Sequence, residues 1–375
     1  MSQHFMEKLL EGCEVEWKKL GEVANITIGE FVHQNKQNPS AEYPVYNGGR
    51  KPTGYYNKYN NSGNKIIVSA RGANAGFVNK IFKPYWAGNS CYSISTKDIN
   101  QLSFEFIFYF LKSNERKLIR SQQGGGGIPA ISKKQMQSFL IPIPPLKVQS
   151  EIVRILDNFT ELTAELTAEL TAELSMRKKQ YSYYRDTLLR FEDDEVEWEK
   201  LGKVADINTG QKPHNIIDTV TDFEYINAGT TNSGYTDKSN CDGDVTTTPS
   251  RGQGGIGYVG FQPKSFWLGP LCYRIKSKNI EKLVNKYIFY FLQSNSRLLL
   301  KLKKEGGVPA VNKIDLQNLS IPLPPLEKQK EIVSILDKFD TLTNSITEGL
   351  PKEIELRKKQ YEYYRDMLLN FDKEM

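Results

Sequence analysis

The sequence predicts a mixed α/β (α+β) protein written twice over. Two globular α/β domains are joined by two long helices that form an antiparallel coiled coil, giving a pseudo-two-fold internal repeat. Three observations carry this expectation. The 375-residue chain repeats itself at an offset of 180 or 181 residues. An apolar stripe with helical spacing follows each globular stretch. Short β-rich runs punctuated by Gly, Asn and Pro fill the globular stretches themselves.

The repeat runs the length of the chain. VEWKKLGEVANITIGE from Val15 answers VEWEKLGKVADINTGQ from Val196, and SARGANAGFV around Arg71 answers PSRGQGGIGYV around Arg251. FIFYFLKSN matches YIFYFLQSN, GIPAISKKQMQ matches GVPAVNKIDLQ, and IPIPPLKVQSEIVRILDNF matches IPLPPLEKQKEIVSILDKF. RKKQYSYYRDTLLRF and RKKQYEYYRDMLLNF close the two copies. A period this long means whole modules rather than a solenoid. The copies agree in the connecting segments and diverge in the domain middles, as equal scaffolds carrying different readers would.

The expected boundaries are an N-terminal helical extension at 1–14, a first domain at 15–145, a first connecting helix at 146–195, a second domain at 196–325 and a second helix at 326–375. Pro144-Pro145 suits a helix start. Ile152, Ile155, Leu156, Phe159, Leu162, Leu166, Leu170 and Leu174 then recur at spacings of three and four. A helix from there to Phe191 spans about 68 Å at 1.5 Å per residue. Its single apolar stripe needs a partner helix. Ile332, Ile335, Leu336, Phe339, Leu342 and Ile346 supply one. Antiparallel pairing lets one domain sit at each end. Gly349-Leu350-Pro351 predicts a kink, or a stop and restart, in the second helix. Within the first, Thr163 to Leu174 is TAELTAELTAEL. Each four-residue unit advances a helix by about 6 Å and 40° beyond a full turn.

In the domains, NKIIVSA, AGFVNKIF and GYVGFQP read as short strands. The aromatic segments FEFIFYFLKSN and NKYIFYFLQSN read as helices whose rings pack into the core.

Charge is distributed unevenly. Residues 15–140 hold 17 Lys+Arg against 7 Asp+Glu, and residues 196–320 hold 16 against 12, within a chain of net charge +6. Two basic domains thus alternate with acidic connectors, which suits a polyanionic partner. No window reaches the roughly 18 apolar residues a membrane span needs. Residues 1–20 are charged and carry no apolar run of a secretory signal. Cys13, Cys91, Cys241 and Cys272 are scattered without C-x-x-C spacing, so a cytoplasmic protein with reduced thiols is expected.

Catalytic tools are not found in the sequence. The three histidines, His4, His33 and His214, lie far apart with no ligand-spaced Cys or Glu, so no metal site is expected. There is no phosphate-binding G-x-x-x-x-G-K-[ST] loop, no nucleophile elbow and no Asn/Asp-Pro-Pro-aromatic signature. Gly252 to Gly257 fits G-x-G-x-x-G, but GYVGFQP follows it as strand and turn where a dinucleotide site needs a helix.

The order VEWxxLGxVA, a variable domain, GGxPAxxKxxxQ, IPxPPLxxQxxIVxILDxF, a TAEL tract and RKKQYxYYRDxLL, nearly all of it twice, resembles the specificity subunits of type I restriction–modification enzymes. The resemblance implies two target recognition domains, each reading one half of a split site on double-stranded DNA. It implies a helical rod that sets the unread spacer. It also implies partners: two modification (methyltransferase) subunits and two restriction (motor–endonuclease) subunits. S-adenosylmethionine, ATP and Mg2+ would belong to those subunits, leaving this chain non-catalytic and without cofactors of its own.

Base reading calls for planar polar groups on loops. In the first domain the candidates are Asn47, Arg50, Lys51 and Tyr55 in NGGRKPTGYYN, then Ser69, Arg71 and Asn74 in the Arg-Gly loop. Their counterparts in the second domain are Asn227, Thr230 and Thr231, then Ser250, Arg251 and Gln253. Arg71 and Arg251 are equivalent, which suggests phosphate positioning; a structural arginine salt-bridged within its domain is the alternative. Lys133, Lys134 and Lys313 follow the glycine loops at Gly124–Gly127 and Gly306-Gly307 and are candidate phosphate contacts, or else plain solvated surface. On the helices, Ile152, Phe159, Leu166, Arg177, Tyr184, Ile332, Phe339, Arg357 and Tyr364 are candidates for subunit contact or helix pairing. The rival reading is a coiled-coil scaffold with two ligand-binding heads that are not DNA-specific.

Overall fold

Trp17 and Trp198 open the two copies in strands whose partners lie some 125 residues on. The computed structural model describes residues 8–120, 128–304, 308–345 and 347–371. Of the expected N-terminal helical extension, 8–10 are helical and 1–7 lie outside the described residues. Strand β1 (Glu16–Lys19) pairs antiparallel with β9 (Leu140–Ile143), with Trp17 opposite Pro142. In the second copy β10 (Glu197–Lys200) pairs with β18 (Ser320–Leu323), Trp198 opposite Pro322. Each ribbon ties the entry of a domain to its exit.

Between them the first domain builds two sheets. The four-stranded sheet orders β2 (Ala24–Ile28), β8 (Cys91–Thr96), β5 (Lys65–Ser69) and β6 (Val78–Ile81), all antiparallel. The smaller sheet orders β4 (Gly54–Tyr56), β3 (Tyr43–Tyr46) and β7 (Trp86–Ala87), the last pair parallel. The second domain repeats both sheets. The predicted strands NKIIVSA, AGFVNKIF and GYVGFQP correspond to β5, β6 and β15 (Gly260–Gln262). The Gly252–Gly257 run is therefore followed by a strand, not a helix.

The aromatic helices are α2 (Phe104–Ser113) and α7 (Asn285–Ser294). Their spacing buries one face, so Phe106, Ile107, Tyr109 and Phe110, like Tyr287, Ile288, Tyr290 and Phe291, lie at most 4% exposed.

The long helix α5 runs Leu146–Leu188, 43 residues, beginning directly after Pro144-Pro145. Its stripe is well buried at Ile152, Ile155 and Leu156, but Leu162 is 51% exposed. The second copy stops and restarts: α10 spans Leu326–Asn344 and α11 spans Gly349–Leu368. Pro351 falls in the first turn of α11, where a missing N–H costs no helical hydrogen bond. The break thus precedes the proline, at Gly349 with φ +77.

The chain forms two compact units, Met1–Glu169 with Ile354–Met375, and Leu170–Glu353. Each unit therefore holds one domain, the first half of its own helix and the second half of the other copy's. In the first unit Phe159 stacks on Tyr364 at 5.6 Å and Thr160 meets the Tyr361 hydroxyl at 3.0 Å, so the two helices run antiparallel. Leu368, Leu369 and Phe371 complete its core beside Phe106 and Ile152. In the second unit Tyr184 stacks on Phe339 at 5.4 Å, and Tyr181 and Leu189 complete the core. Among the described residues no helix is long and apolar enough to cross a membrane.

Candidate nucleic-acid interface

Strand β5 ends at Ser69, and the chain must reverse before β6. Gly72 and Gly76, at φ +90 and +95, permit the reversal. Gly76 N donates to Ser69 O at 2.8 Å and Phe77 N to Asn74 O at 2.9 Å, closing the loop. A second segment clamps it from outside. Gly72 N donates to Pro129 O and Ile131 N to Ala70 O, both at 2.9 Å, and Arg71 is bridged to Ala130. A third segment lies against the same loop. A Cβ on Gly48 would fall 2.5 Å from the Arg71 carbonyl oxygen, so only glycine admits the approach. There Ser69 Oγ donates to Gly49 O at 3.4 Å, and Arg50 Nε donates to Asn74 Oδ1 at 3.2 Å. The Arg50 guanidinium also lies 5.6 Å from the Phe77 ring centroid.

The second domain repeats the clamp with other side chains. Gly252 N donates to Pro309 O at 3.0 Å, Val311 N to Ser250 O at 2.9 Å, and Arg251 is bridged to Ala310. A Cβ on Gly255 would lie 2.0 Å from Ala228 O. The fold thus brings together the same three segments in each domain, from stretches of sequence some 20 to 60 residues apart.

The predicted contacts divide by environment. Arg50, Lys51, Tyr55, Arg71, Lys133 and Lys134 are exposed, as are Thr230, Thr231, Arg251, Gln253 and Lys313. Ser69 and Ser250 are buried at 5% and 8% exposure, which leaves them to shape the loop. The Asn47 and Asn227 side-chain oxygens accept from Ser90 N and Leu271 N, both at 3.0 Å, so each pins the turn before the central strand. Lys313 Nζ reaches Asn208 Oδ1 at 3.1 Å. Lys133 and Lys134 open the helix α4 (Lys133–Ser138) behind its Ser132 cap. The glycine loops at 124–127 and 306–307 lie outside the described residues.

Electrostatics places the two arginines alike. Burial pushes the Tyr92 and Tyr273 phenols up, and the nearby Arg71 and Arg251 charges act in the opposite sense. Those phenols donate to Ile131 O at 2.9 Å and Val311 O at 3.0 Å, inside the clamp segments. Each arginine therefore sits on a backbone fixed from both sides and is itself exposed. Such a group can neutralise a phosphate or bond a guanine edge bidentately.

Of the helix candidates, Ile152 and Ile332 lie at 0% exposure in their own cores, so their side chains pack within the chain and present nothing to another subunit. Phe159 and Tyr364, and Phe339 and Tyr184, form the stacked helix–helix pairs. Leu166, Arg177 and Arg357 are partly exposed. Arg177 pairs with Glu173 at 3.3 Å.

Sequence reasoning missed Gln149 and Gln329. Both are 0% exposed. Gln149 accepts from Ser103 N at 2.9 Å and donates to Gln101 O and Pro144 O at 2.9 and 2.8 Å. Gln329 does the same with Val284, Lys282 and Pro324. The signal was present in the repeated PPLxxQ, where a glutamine one turn into an amphipathic helix recurs at the same place in both copies.

The family model for the type I restriction modification DNA specificity domain matches residues 14–176 and again 194–356. The chain is 34% identical to the type I restriction enzyme EcoR124I/EcoR124II specificity subunit of Escherichia coli, covering 98% of this chain and 97% of that one. It is 34% identical to a putative type I restriction enzyme specificity subunit of Haemophilus influenzae, covering 98% of both. Two solved structures share the fold. A chain from the structural basis of complex assembly and conformational transition of the type I R-M system has TM-score 0.67 at 18% identity, covering 96% of this chain and 98% of that one. The HsdS subunit from Thermoanaerobacter tengcongensis has TM-score 0.56 at 18% identity, covering 95% of both. With both repeats matched and full-length relatives above 30% identity, the chain belongs to the family of type I restriction–modification DNA specificity subunits.

Proposed function

We propose that this chain reads a bipartite DNA site, one half with each domain, and acts as a non-catalytic adaptor between that DNA and two modification and two restriction subunits. The observation that carries the reading is the paired clamp. Arg71 and Arg251 stand exposed on the same three-segment scaffold, while the surrounding side chains differ. Arg50 and Lys51 in the first domain stand at the repeat positions that Thr230 and Thr231 hold in the second. Equal anchors with unequal neighbours suit equal phosphate contacts and different half-sites.

S-adenosylmethionine, ATP and Mg2+ are assigned to the partner subunits, the paired helices to subunit docking, and the whole assembly to the cytoplasm. The test is methylome sequencing of cells carrying this chain and its methyltransferase subunit, against cells lacking the chain. A split methylated motif that disappears with the chain is the expected result. Replacing residues 15–140 with another such domain should then change one half of that motif. Changes in both halves, or no lost motif, would overturn the reading and leave the scaffold.

A further inference from the structure

The segments Gly-Ile-Pro-Ala and Gly-Val-Pro-Ala put a large aliphatic side chain into solvent at one equivalent position. Ile128 is 75% exposed and Val308 is 55% exposed. Scattered exposed apolar residues are ordinary, but these two are held in an unusual setting. Each precedes a proline, which restricts its backbone to extended conformations. The carbonyl of that proline is fixed by Gly72 N or Gly252 N, at 2.9 and 3.0 Å. The residue after it, Ala130 or Ala310, is bridged to the exposed Arg71 or Arg251. One backbone clamp therefore presents a branched aliphatic group and a guanidinium together, in both domains. Burying such a side chain is favourable, and each domain leaves most of this one in solvent.

We propose that Ile128 and Val308 are DNA-contact residues, each packing against the apolar surface of the base pairs beside the phosphate held by the neighbouring arginine. Duplex DNA offers such a surface at thymine methyl groups and at base steps that an aliphatic wedge can open. The assignment rests on the DNA-reading function proposed above. It adds a contribution to affinity that is independent of salt, because an apolar contact releases no counterions.

The experiment measures binding of the chain, assembled with its methyltransferase subunits, to duplex carrying the methylome-defined site over a salt series. Ile128→Ala and Val308→Ala each should weaken binding about tenfold at every salt concentration, with the slope of log affinity against log salt unchanged. Arg71→Ala should instead lower the steepness of that slope by about one. Ile128→Val should restore most of the loss in the first domain. Both side chains are exposed, so unaltered circular dichroism should accompany the alanine variants. A wild-type complex that binds, with both alanine variants indistinguishable from it, overturns this assignment alone. So does impaired assembly with the methyltransferase subunits at unchanged DNA affinity, which would place the side chains in a protein interface. A wild-type complex that binds no duplex overturns the DNA reading and this assignment together.

Discussion

The Tyr109 hydroxyl donates to Asp157 Oδ1 at 2.5 Å, joining the aromatic helix of the first domain to the long helix that follows it. Tyr290 and Asp337 form the same bond, also at 2.5 Å, in the second copy. Each phenol is held protonated by burial and by the carboxylate it faces. This bond and the buried glutamine one turn into the helix thus tie each domain to its helix, alongside the apolar core the two share.

Tyr109→Phe removes a charge-assisted bond while keeping the ring that fills the core. It should cost about 1.5–3 kcal/mol, read as a lower urea midpoint at unchanged slope. Gln149→Leu should cost at least as much, since three backbone groups lose their partner at once. A Tyr109→Phe protein as stable as wild type would show that the bond contributes nothing beyond what water supplies.

Residues 1–191 expressed alone should dimerise. Their domain lacks Leu368, Leu369 and Phe371, which finish its core in the full chain. A second copy can supply the equivalent Leu188, Leu189 and Phe191, because the two repeats match there. Light scattering should give twice the mass of the fragment. A well-folded monomer would mean the borrowed helix end is dispensable.

Burial holds the Cys91 and Cys272 thiols up at about 12, against an ordinary 9.0. The unfolded chain releases these protons first. Their contribution is therefore flat below pH about 8, and stability falls as pH climbs from the ordinary value towards the folded one. Cys91→Ala should reduce that alkaline loss. At neutral pH a thiol reagent should label the partly exposed Cys13 and spare the buried Cys91, Cys241 and Cys272. Rapid labelling of all four in the native state would contradict the packing.

Deleting one TAEL unit should shorten the unread spacer and leave both half-sites as they were. The basis is the helical advance of about 6 Å and 40° beyond a turn for four residues, and Thr163 to Leu174 lie entirely within one unbroken helix. Methylome sequencing of the deletion reads both quantities. An unchanged spacer with altered half-sites would end the idea of the helix as a ruler.

The sequence alone determined the duplication, the two long apolar stripes, the aromatic helices and the break before Pro351. Each is a local pattern, a repeat or a period that neighbouring residues already contain. Which residues meet across distant segments, and which are buried, was decided only by the tertiary structure. Nothing local in RKKQYEYYRDMLLNF says that Leu368 closes the core of the first domain, because that core lies more than 200 residues earlier. Asn47 and Asn227 look like base-reading amides in their loops, yet their oxygens are engaged by backbone N–H groups from another segment. Ile128 and Val308 look like two more core residues beside a proline. Only the clamp on Arg71 and Arg251 leaves them in solvent, since a side chain's exposure depends on which distant segments fold against its backbone.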